Sequence, residues 1–251
     1  MDTKDNKLDK FLWESHKGLR LQLPKKLYHY TGSKAVASIK NNLKCFNASA
    51  MEDPIEFRLG RCFLEQMKVQ NDFPLNEVLS NPTEELVRCW TFSLCREGAN
   101  IEMGRKYACS KEGYPVVLEF EYEPLAESVS VLMEDDLGKE TSSPNPCELH
   151  FLLPCIYSIS HYSMIKKLQR FLFGEYYKWL CNKLRSMNNL QIACACSYMF
   201  RAMIKCDVYK KEQEYRLVKI TFDGSNEKCV PYGFSGIEFK SRKFCCCDGQ
   251  A

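Results

Sequence analysis

The run KEQEYRLVKITF at residues 211–222 indicates the fold of this chain more clearly than any other stretch. From Glu214 onward the side chains alternate between two sets, which predicts an extended strand with two different faces. One face carries Glu214, Arg216, Val218, Ile220 and Phe222. Alternate residues of a strand lie about 6.6 Å apart on one face, so Glu212 joins Glu214 there if the strand begins early. Two carboxylates are therefore expected to point the same way at the entrance of a strand.

Outward from this strand, alternating and helical patterns divide the rest of the chain. Further strands are predicted at residues 26–31, 89–95, 116–122 and 152–159. Helical periodicity predicts helices ending near residues 43, 69, 187 and 206. The Pro/Asn-rich residues 71–82 are typical of a connection between elements, and the acidic residues 134–146 of a surface loop. Strands separated by helices without regular β-α-β alternation predict an α+β domain.

Three segments are predicted along the chain. Residues 1–23 are polar and resemble an N-terminal arm, residues 24–244 form the folded domain, and residues 245–251 are a Cys-rich tail. The composition, with 35 Lys and Arg against 32 Asp and Glu, gives a net charge of +3 that is scattered along the chain. Scattered charge predicts no nucleic-acid partner. No run approaches the roughly 18 apolar residues that span a bilayer, and the start of the chain is too polar for a secretory signal, so neither a transmembrane segment nor such a signal is expected.

The 15 cysteines are predicted to be reduced thiols in a cytosol-like compartment, because the chain is too large to need disulfides and the number is odd. Two clusters, Cys194 with Cys196 and Cys245 to Cys247, lack the paired C-x₂-C spacing of zinc sites. No metal is therefore expected. Cys247 is followed by four residues, one too many for a prenylation box, whereas palmitoylation of the tail is left open.

Two short stretches carry candidate chemistry. In LYHYTG at residues 27–32, His29 lies between aromatic rings that can stack on a heterocycle, and the closing glycine lets a ligand approach the backbone. The alternative is a strand with one polar residue. In KEQEYR at residues 211–216, a carboxylate can stabilise an oxocarbenium-like centre while a leaving group departs. The alternative there is a solvated run of charges with an Arg partner.

These stretches occur in an order that resembles a known family. LYHYTG, then EDPIEF at residues 52–57, and finally KEQEYRLV at residues 211–218 are similar to the motifs of the bacterial family of unknown function numbered DUF2971. The chain departs from that pattern at Glu52, where the family usually has Asn. The resemblance extends over roughly residues 26 to 240.

That family is similar in turn to the ADP-ribosyltransferases of the His-Tyr-Glu type, which implies a split β-sheet core with flanking helices and NAD as co-substrate. The resemblance makes Glu214 and Glu212 catalytic, with Glu212 also expected to influence the choice of acceptor. It implies that His29, with Tyr30 and Thr31 beside it, holds NAD. Less directly, GRKYAC at residues 104–109 resembles the segment whose tyrosine stacks on nicotinamide, and a supporting serine is implied on the strand before it. These last two assignments are Tyr107 and Ser93.

The resemblance also implies a protein acceptor. Secreted effectors that ADP-ribosylate a threonine of host ubiquitin share the domain size and motif order, so delivery into a host cell by a specialised secretion system is one expectation. The loops after Phe46 and at residues 134–146 are expected to select the acceptor. Two alternatives stay open: an NAD glycohydrolase, and a catalytically silent module with the same fold.

Overall fold

Most of the chain outside its two termini forms a large antiparallel sheet with helices packed around it. The computed structural model describes residues 23–48, 54–67, 73–80, 87–109, 111–138, 148–222, 229–233 and 238–245. Within these ranges lie ten strands: β1 (Lys26–Gly32), β2 (Lys44–Asn47), β3 (Arg88–Cys95), β4 (Pro115–Glu121), β5 (Glu148–Pro154), β6 (Ile156–Tyr157), β7 (Ile204–Lys205), β8 (Glu214–Thr221), β9 (Cys229–Pro231) and β10 (Lys240–Lys243). All but β6 and β7 belong to one sheet.

The helices of the same ranges cover both faces of this sheet. They are α1 (Ser33–Asn41), α2 (Pro54–Glu65), α3 (Leu75–Ser80), α4 (Ile101–Met103), α5 (Tyr122–Gly138), α6 (Tyr162–Arg170), α7 (Tyr177–Lys183) and α8 (Asn189–Met203), with π-helical segments at Gly104–Ala108 and Phe171–Tyr176 and a 3-10 helix at Asp207–Glu212. The predicted α+β class is confirmed. None of these helices is long and apolar enough to cross a membrane.

The strand from which the sequence analysis started is central in the sheet. Strand β8 pairs along its length with β3 on one edge and with β5 on the other, and all eight of its residues are buried. Its two faces enter different cores: Val218 and Ile220 pack with the α8 side chains, whereas Tyr215 and Leu217 pack on the opposite face. The predicted alternation of faces is therefore confirmed.

The sheet branches at the edge of β3 that faces away from β8. Strand β2 pairs with that edge at Trp90 and Thr91, and β1 pairs with it at the other end through a single register position, Tyr28 with Cys95. Strands β1, β4 and β10 form an antiparallel wing that meets the rest of the sheet at this one position. The backbone of residues 92–94 consequently faces a gap between the two branches.

Several predicted boundaries were wrong. The expected strand at 152–159 begins earlier, at Glu148, and the expected loop at 134–146 begins as helix, because α5 runs to Gly138. Leu125, Val129 and Met133 are buried one turn apart, and this repeat continues the helix into the acidic segment. The predicted helices likewise overran their ends, which lie at Asn41, Lys183 and Met203. The predicted arm at 1–23 and the tail at 245–251 fall almost entirely outside the described residues.

Candidate active site

The carboxylate of Glu214, at the first residue of β8, is the centre of a buried polar cluster. Its Oε1 atom accepts hydrogen bonds from Ser93 Oγ at 2.7 Å and from Arg216 Nε at 2.6 Å. Its Oε2 atom accepts from Lys205 Nζ. The Glu214 backbone N–H donates to the hydroxyl of Tyr157 at 3.0 Å. Side chain and backbone are therefore both held in place.

Glu212 reaches the same cluster from a different backbone conformation. The predicted early start of the strand does not occur, because Glu212 ends the 3-10 helix and Gln213 adopts a left-handed φ of 43° before β8 begins. The Glu212 Oε1 atom accepts from Tyr107 Oη at 3.1 Å and Lys106 Nζ at 3.2 Å. Its Oε2 atom accepts from Lys205 Nζ at 2.5 Å. The two carboxylates thus adjoin each other as the sequence predicted, but through a turn instead of a shared strand face.

Lys205 joins the two carboxylates. Its ammonium group is 2% exposed and binds one oxygen each of Glu212 and Glu214. Burial alone would raise the pKa of Glu214, but the charges of Arg216 and Lys205 and their hydrogen bonds outweigh it, so that the pKa of Glu214 lies well below its ordinary range. Glu214 is therefore ionised at neutral pH although it is buried.

Each carboxylate keeps acceptor capacity on the oxygen that faces Lys205. An ionised carboxylate offers about four acceptor positions. Glu214 uses three of them, two on Oε1 and one on Oε2, and Glu212 uses the same number in the same distribution. One further hydrogen bond can be accepted by Oε2 of each residue. These two oxygens contact the same ammonium group and therefore lie close together.

Four residues that the sequence nominated are brought together here: Ser93, Tyr107, Glu212 and Glu214. Tyr107 lies in the π-helical segment Gly104–Ala108, whose widened turn precedes β4. Burial, and after it the negative charge of Glu212, raises the pKa of the Tyr107 hydroxyl well above its ordinary value. Tyr107 is therefore a hydrogen-bond donor at neutral pH; the residue is partly exposed, and Lys106 Nζ lies 4.6 Å from the centroid of its ring.

His29 is not part of this cluster. Its ring stacks on Phe92 with centroids 4.2 Å apart, and its Nδ1–H donates to the carbonyl of Ser93 at 2.9 Å, which requires the tautomer protonated on Nδ1. Phe92 belongs to the core on the opposite face of β3 from the Ser93 side chain. The imidazole thus links β1 to β3 at the point where the two strands diverge. The contacts found for it include neither Glu212 nor Glu214.

Tyr30 lies on the other face of β1 from His29, whereas Thr31, two residues further on, shares the face of His29. Tyr30 packs with Cys95, and its hydroxyl donates to the Glu97 carbonyl at 2.6 Å and accepts from the Asn100 N–H at 2.9 Å. These bonds hold the loop that leads into the π-helical segment of Tyr107. Thr31 is buried at a register position opposite Val116 of β4. Tyr30 therefore supports the cluster through the backbone and not by direct contact with a carboxylate.

Three basic residues of the cluster were missed by the sequence analysis as functional candidates: Lys205, Arg216 and Lys106. Arg216 is 1% exposed and also donates to the Ala202 carbonyl at 2.9 Å. The alternation of residues in this strand had already placed Arg216 on the same face as Glu214. Lys205 carried a weaker signal, a single lysine after the apolar run that ends at Ile204. Its burial follows only from the tertiary structure, in which Lys205 is 2% exposed on the strand that pairs with β6.

Of the two cysteine clusters, the described members are Cys194, Cys196 and Cys245, and none of them is among the contacts of this site. Cys194 and Cys196 are fully buried in α8, as expected of core thiols, and Cys245 is exposed. Cys109 is disulfide-bonded, so the prediction that the thiols are uniformly reduced is wrong at this position. Across the described ranges, no group of three or more His, Cys, Asp or Glu side chains is arranged to hold a metal ion.

The position of His29 leads to a prediction about pH. Burial lowers the pKa of His29 to about 4, against the opposing effect of its bond to Ser93. The unfolded chain therefore binds more protons than the folded chain between about pH 4 and 6.5. His29→Gln, which keeps a donor for the Ser93 carbonyl, is expected to lose about 1–2 kcal/mol less stability than wild type between pH 7.5 and 5. Urea unfolding at both pH values measures this difference, and parallel losses in the two proteins would contradict it.

Comparison of the chain with models of protein families, with curated proteins and with solved structures found no match in any of the three.

Proposed function

We propose that this protein is an NAD-dependent mono-ADP-ribosyltransferase in which Glu214 stabilises the ribose cation formed as nicotinamide departs. The observation that carries the proposal is that Ser93 binds Glu214, Tyr107 binds Glu212, and one buried lysine, Lys205, joins the two carboxylates. These residues were nominated from three separate stretches of sequence by resemblance to that enzyme class. A purely structural salt bridge in the core would not need a second carboxylate and a partly exposed tyrosine beside it.

The charge state of the site supports this chemistry. Cleavage of the bond between nicotinamide and ribose leaves positive charge on the sugar, and a fixed negative charge close to that sugar stabilises the transition state. Glu214 is ionised at neutral pH and held by Ser93, Lys205 and Arg216. Little reorganisation is needed when the charge develops, because the carboxylate is already in place.

The spare acceptor positions fit a ribose diol. We assign the Oε2 atom of Glu214 to the 2′-hydroxyl of the nicotinamide ribose and the Oε2 atom of Glu212 to a neighbouring hydroxyl of that sugar or of the acceptor. Tyr107 is assigned to stack on the nicotinamide ring. The acceptor then attacks the anomeric carbon, the bond to nicotinamide breaks, and the proton of the acceptor leaves to solvent. Ser93 acts as a positioning residue, because its hydroxyl holds the oxygen of Glu214 that does not face Lys205.

The place of His29 changes its proposed role. With its Nδ1–H committed to the Ser93 carbonyl and its ring on Phe92, it is better assigned to holding the two sheet branches together than to direct contact with NAD. Because it bonds the residue that positions Glu214, its effect on the reaction is expected to be indirect.

The experiment that tests the function is incubation of the purified protein with labelled NAD and a cell lysate. Wild type and Glu214→Gln are compared by gel, by mass spectrometry of labelled bands and by release of nicotinamide. Label on a discrete protein that disappears in the variant establishes a transferase. Nicotinamide without protein-bound label identifies an NAD glycohydrolase, and the absence of both from wild type contradicts the proposed enzyme and favours a silent module.

A further inference from the structure

Large apolar side chains that remain exposed are concentrated at one place on the protein. Of the five found exposed among the described residues, three lie around a single turn: Ile159 at 81%, Val208 at 75% and Tyr162 at 51%. Isolated exposed apolar residues are ordinary, whereas a group of them is typical of interaction surfaces. We call these three residues the 159/208 surface.

The 159/208 surface adjoins the candidate active site through the short sheet of β6 and β7. Tyr157 and Lys205 are paired across these parallel strands. Tyr157 accepts the backbone N–H of Glu214, and Lys205 binds both carboxylates. Ile159 follows Tyr157 by two residues and Val208 follows Lys205 by three. On each of these two strands, a residue that contacts Glu212 or Glu214 is therefore followed within three positions by a residue of the 159/208 surface.

The turn that presents the 159/208 surface is fixed by one carboxylate. Asp207 accepts from the hydroxyl of Ser158, the backbone N–H of Ile159, and both the N–H and the hydroxyl of Ser160. Four hydrogen bonds to one side chain connect the β6 turn to the start of the 3-10 helix. Ile159 and Val208 are thus held beside each other instead of lying on independent loops, which lowers the entropic cost of binding a partner.

Lysines border the 159/208 surface. Lys210 donates to Ser160 at 3.1 Å, and Lys166 Nζ lies over the ring of Tyr162 at 4.8 Å from its centroid. A partner that complements this border presents an apolar contact flanked by carboxylates. The occupant to which this surface is matched is therefore a folded protein with an acidic rim around an apolar patch.

We infer that the acceptor protein docks on the 159/208 surface and thereby brings its modified side chain to Glu214. The inference rests on the proposed function and adds the site of acceptor recognition to it. It differs from the sequence-based expectation, which placed acceptor selection in the loops after Phe46 and at residues 134–146. Docking on an element continuous with Lys205 and Glu212 couples the position of the acceptor to the position of the two carboxylates.

The test separates docking from NAD chemistry. The double variant Ile159→Glu/Val208→Glu is incubated with labelled NAD, with and without cell lysate. Protein-bound label is expected to fall at least about tenfold, while nicotinamide release without lysate stays within about twofold of wild type. Introduced carboxylates face the acidic rim of the acceptor, so repulsion adds to the loss of apolar contact.

Phe46→Glu and Tyr114→Glu are matched controls, because they charge the other two exposed large side chains. Undiminished protein labelling by the double variant overturns the docking surface, as does a loss confined to Phe46→Glu. A fall in nicotinamide release equal to the fall in labelling also overturns it, because the variant then damages the site itself. If wild type gives neither protein-bound label nor nicotinamide in the presence of lysate, the proposed function fails instead, so the two failures are distinguishable.

Discussion

Glu214→Gln is expected to slow nicotinamide release at least about 100-fold while the protein remains folded. The substitution keeps the shape of the side chain but removes the negative charge next to the developing ribose cation. Lys205 and Arg216 then face a neutral amide, which is expected to cost about 1–3 kcal/mol of stability. Release of nicotinamide at pH 7.5, with circular dichroism and thermal unfolding of the same sample, measures both effects.

Glu148→Gln is the matched control for this substitution. Glu148, at the first residue of β5, accepts a salt bridge from the buried Lys219 at 2.7 Å. The substitution therefore removes a carboxylate that is paired with a buried lysine. This carboxylate lies on β5, the strand next to β8, outside the candidate site. The control is expected to keep its rate of nicotinamide release within about twofold of wild type. A folded Glu214→Gln protein with undiminished release would remove Glu214 from the mechanism.

Lys205→Met is expected to destabilise the protein by about 3–5 kcal/mol at pH 8, because it leaves two buried carboxylates without the cation that joins them. Glu212 and Glu214 then repel each other, and the pKa of at least one rises above its value in the unfolded chain. A raised folded pKa makes stability fall as pH increases. The variant should therefore recover part of the loss between pH 8 and pH 5, as measured by urea unfolding.

In wild type, the contribution of this site to stability changes with pH in the opposite direction. The lowered pKa of Glu214 contributes stability that is present above the unfolded pKa near 4.3 and is lost as pH falls below it. Lys219→Met is the control, because it removes a second buried lysine whose partner, Glu148, is 39% exposed. It should show a smaller recovery at pH 5.

Two further variants keep the Lys205 prediction decisive if Lys205→Met is hard to isolate. Lys205→Arg keeps the charge and should retain most of the stability. The double variant Lys205→Met/Glu212→Gln removes the repulsion and should be more stable at pH 8 than Lys205→Met alone. Equal stabilities of the single and double variants would show that Lys205 contributes through packing and not through its charge.

The sequence by itself determined the elements whose hydrophobic pattern is long and regular. Alternation predicted β8, β3 and β4, and helical periodicity predicted the segments that became α6 to α8, because burial on one face imposes a repeat that survives in the residues. The boundaries were less well determined. Whether α8 ends at Met203 or continues to residue 206 depends on the pairing of Ile204 with Ile156, which is a contact across 48 positions of sequence.

The candidate site divides in the same way. Glu212 and Glu214 were nominated from sequence as an acidic pair ahead of an apolar strand, and Ser93 and Tyr107 through the resemblance to ADP-ribosyltransferases. The direction of the His29 side chain, the burial of Lys205 and the exposure of Val208 beside Ile159 were decided by tertiary structure alone. Each of these depends on how separate strands meet: β1 leaves β3 after Tyr28, and β7 pairs with β6. Local sequence records which side chains a strand presents, whereas the partners that neutralise a buried charge are supplied by the fold.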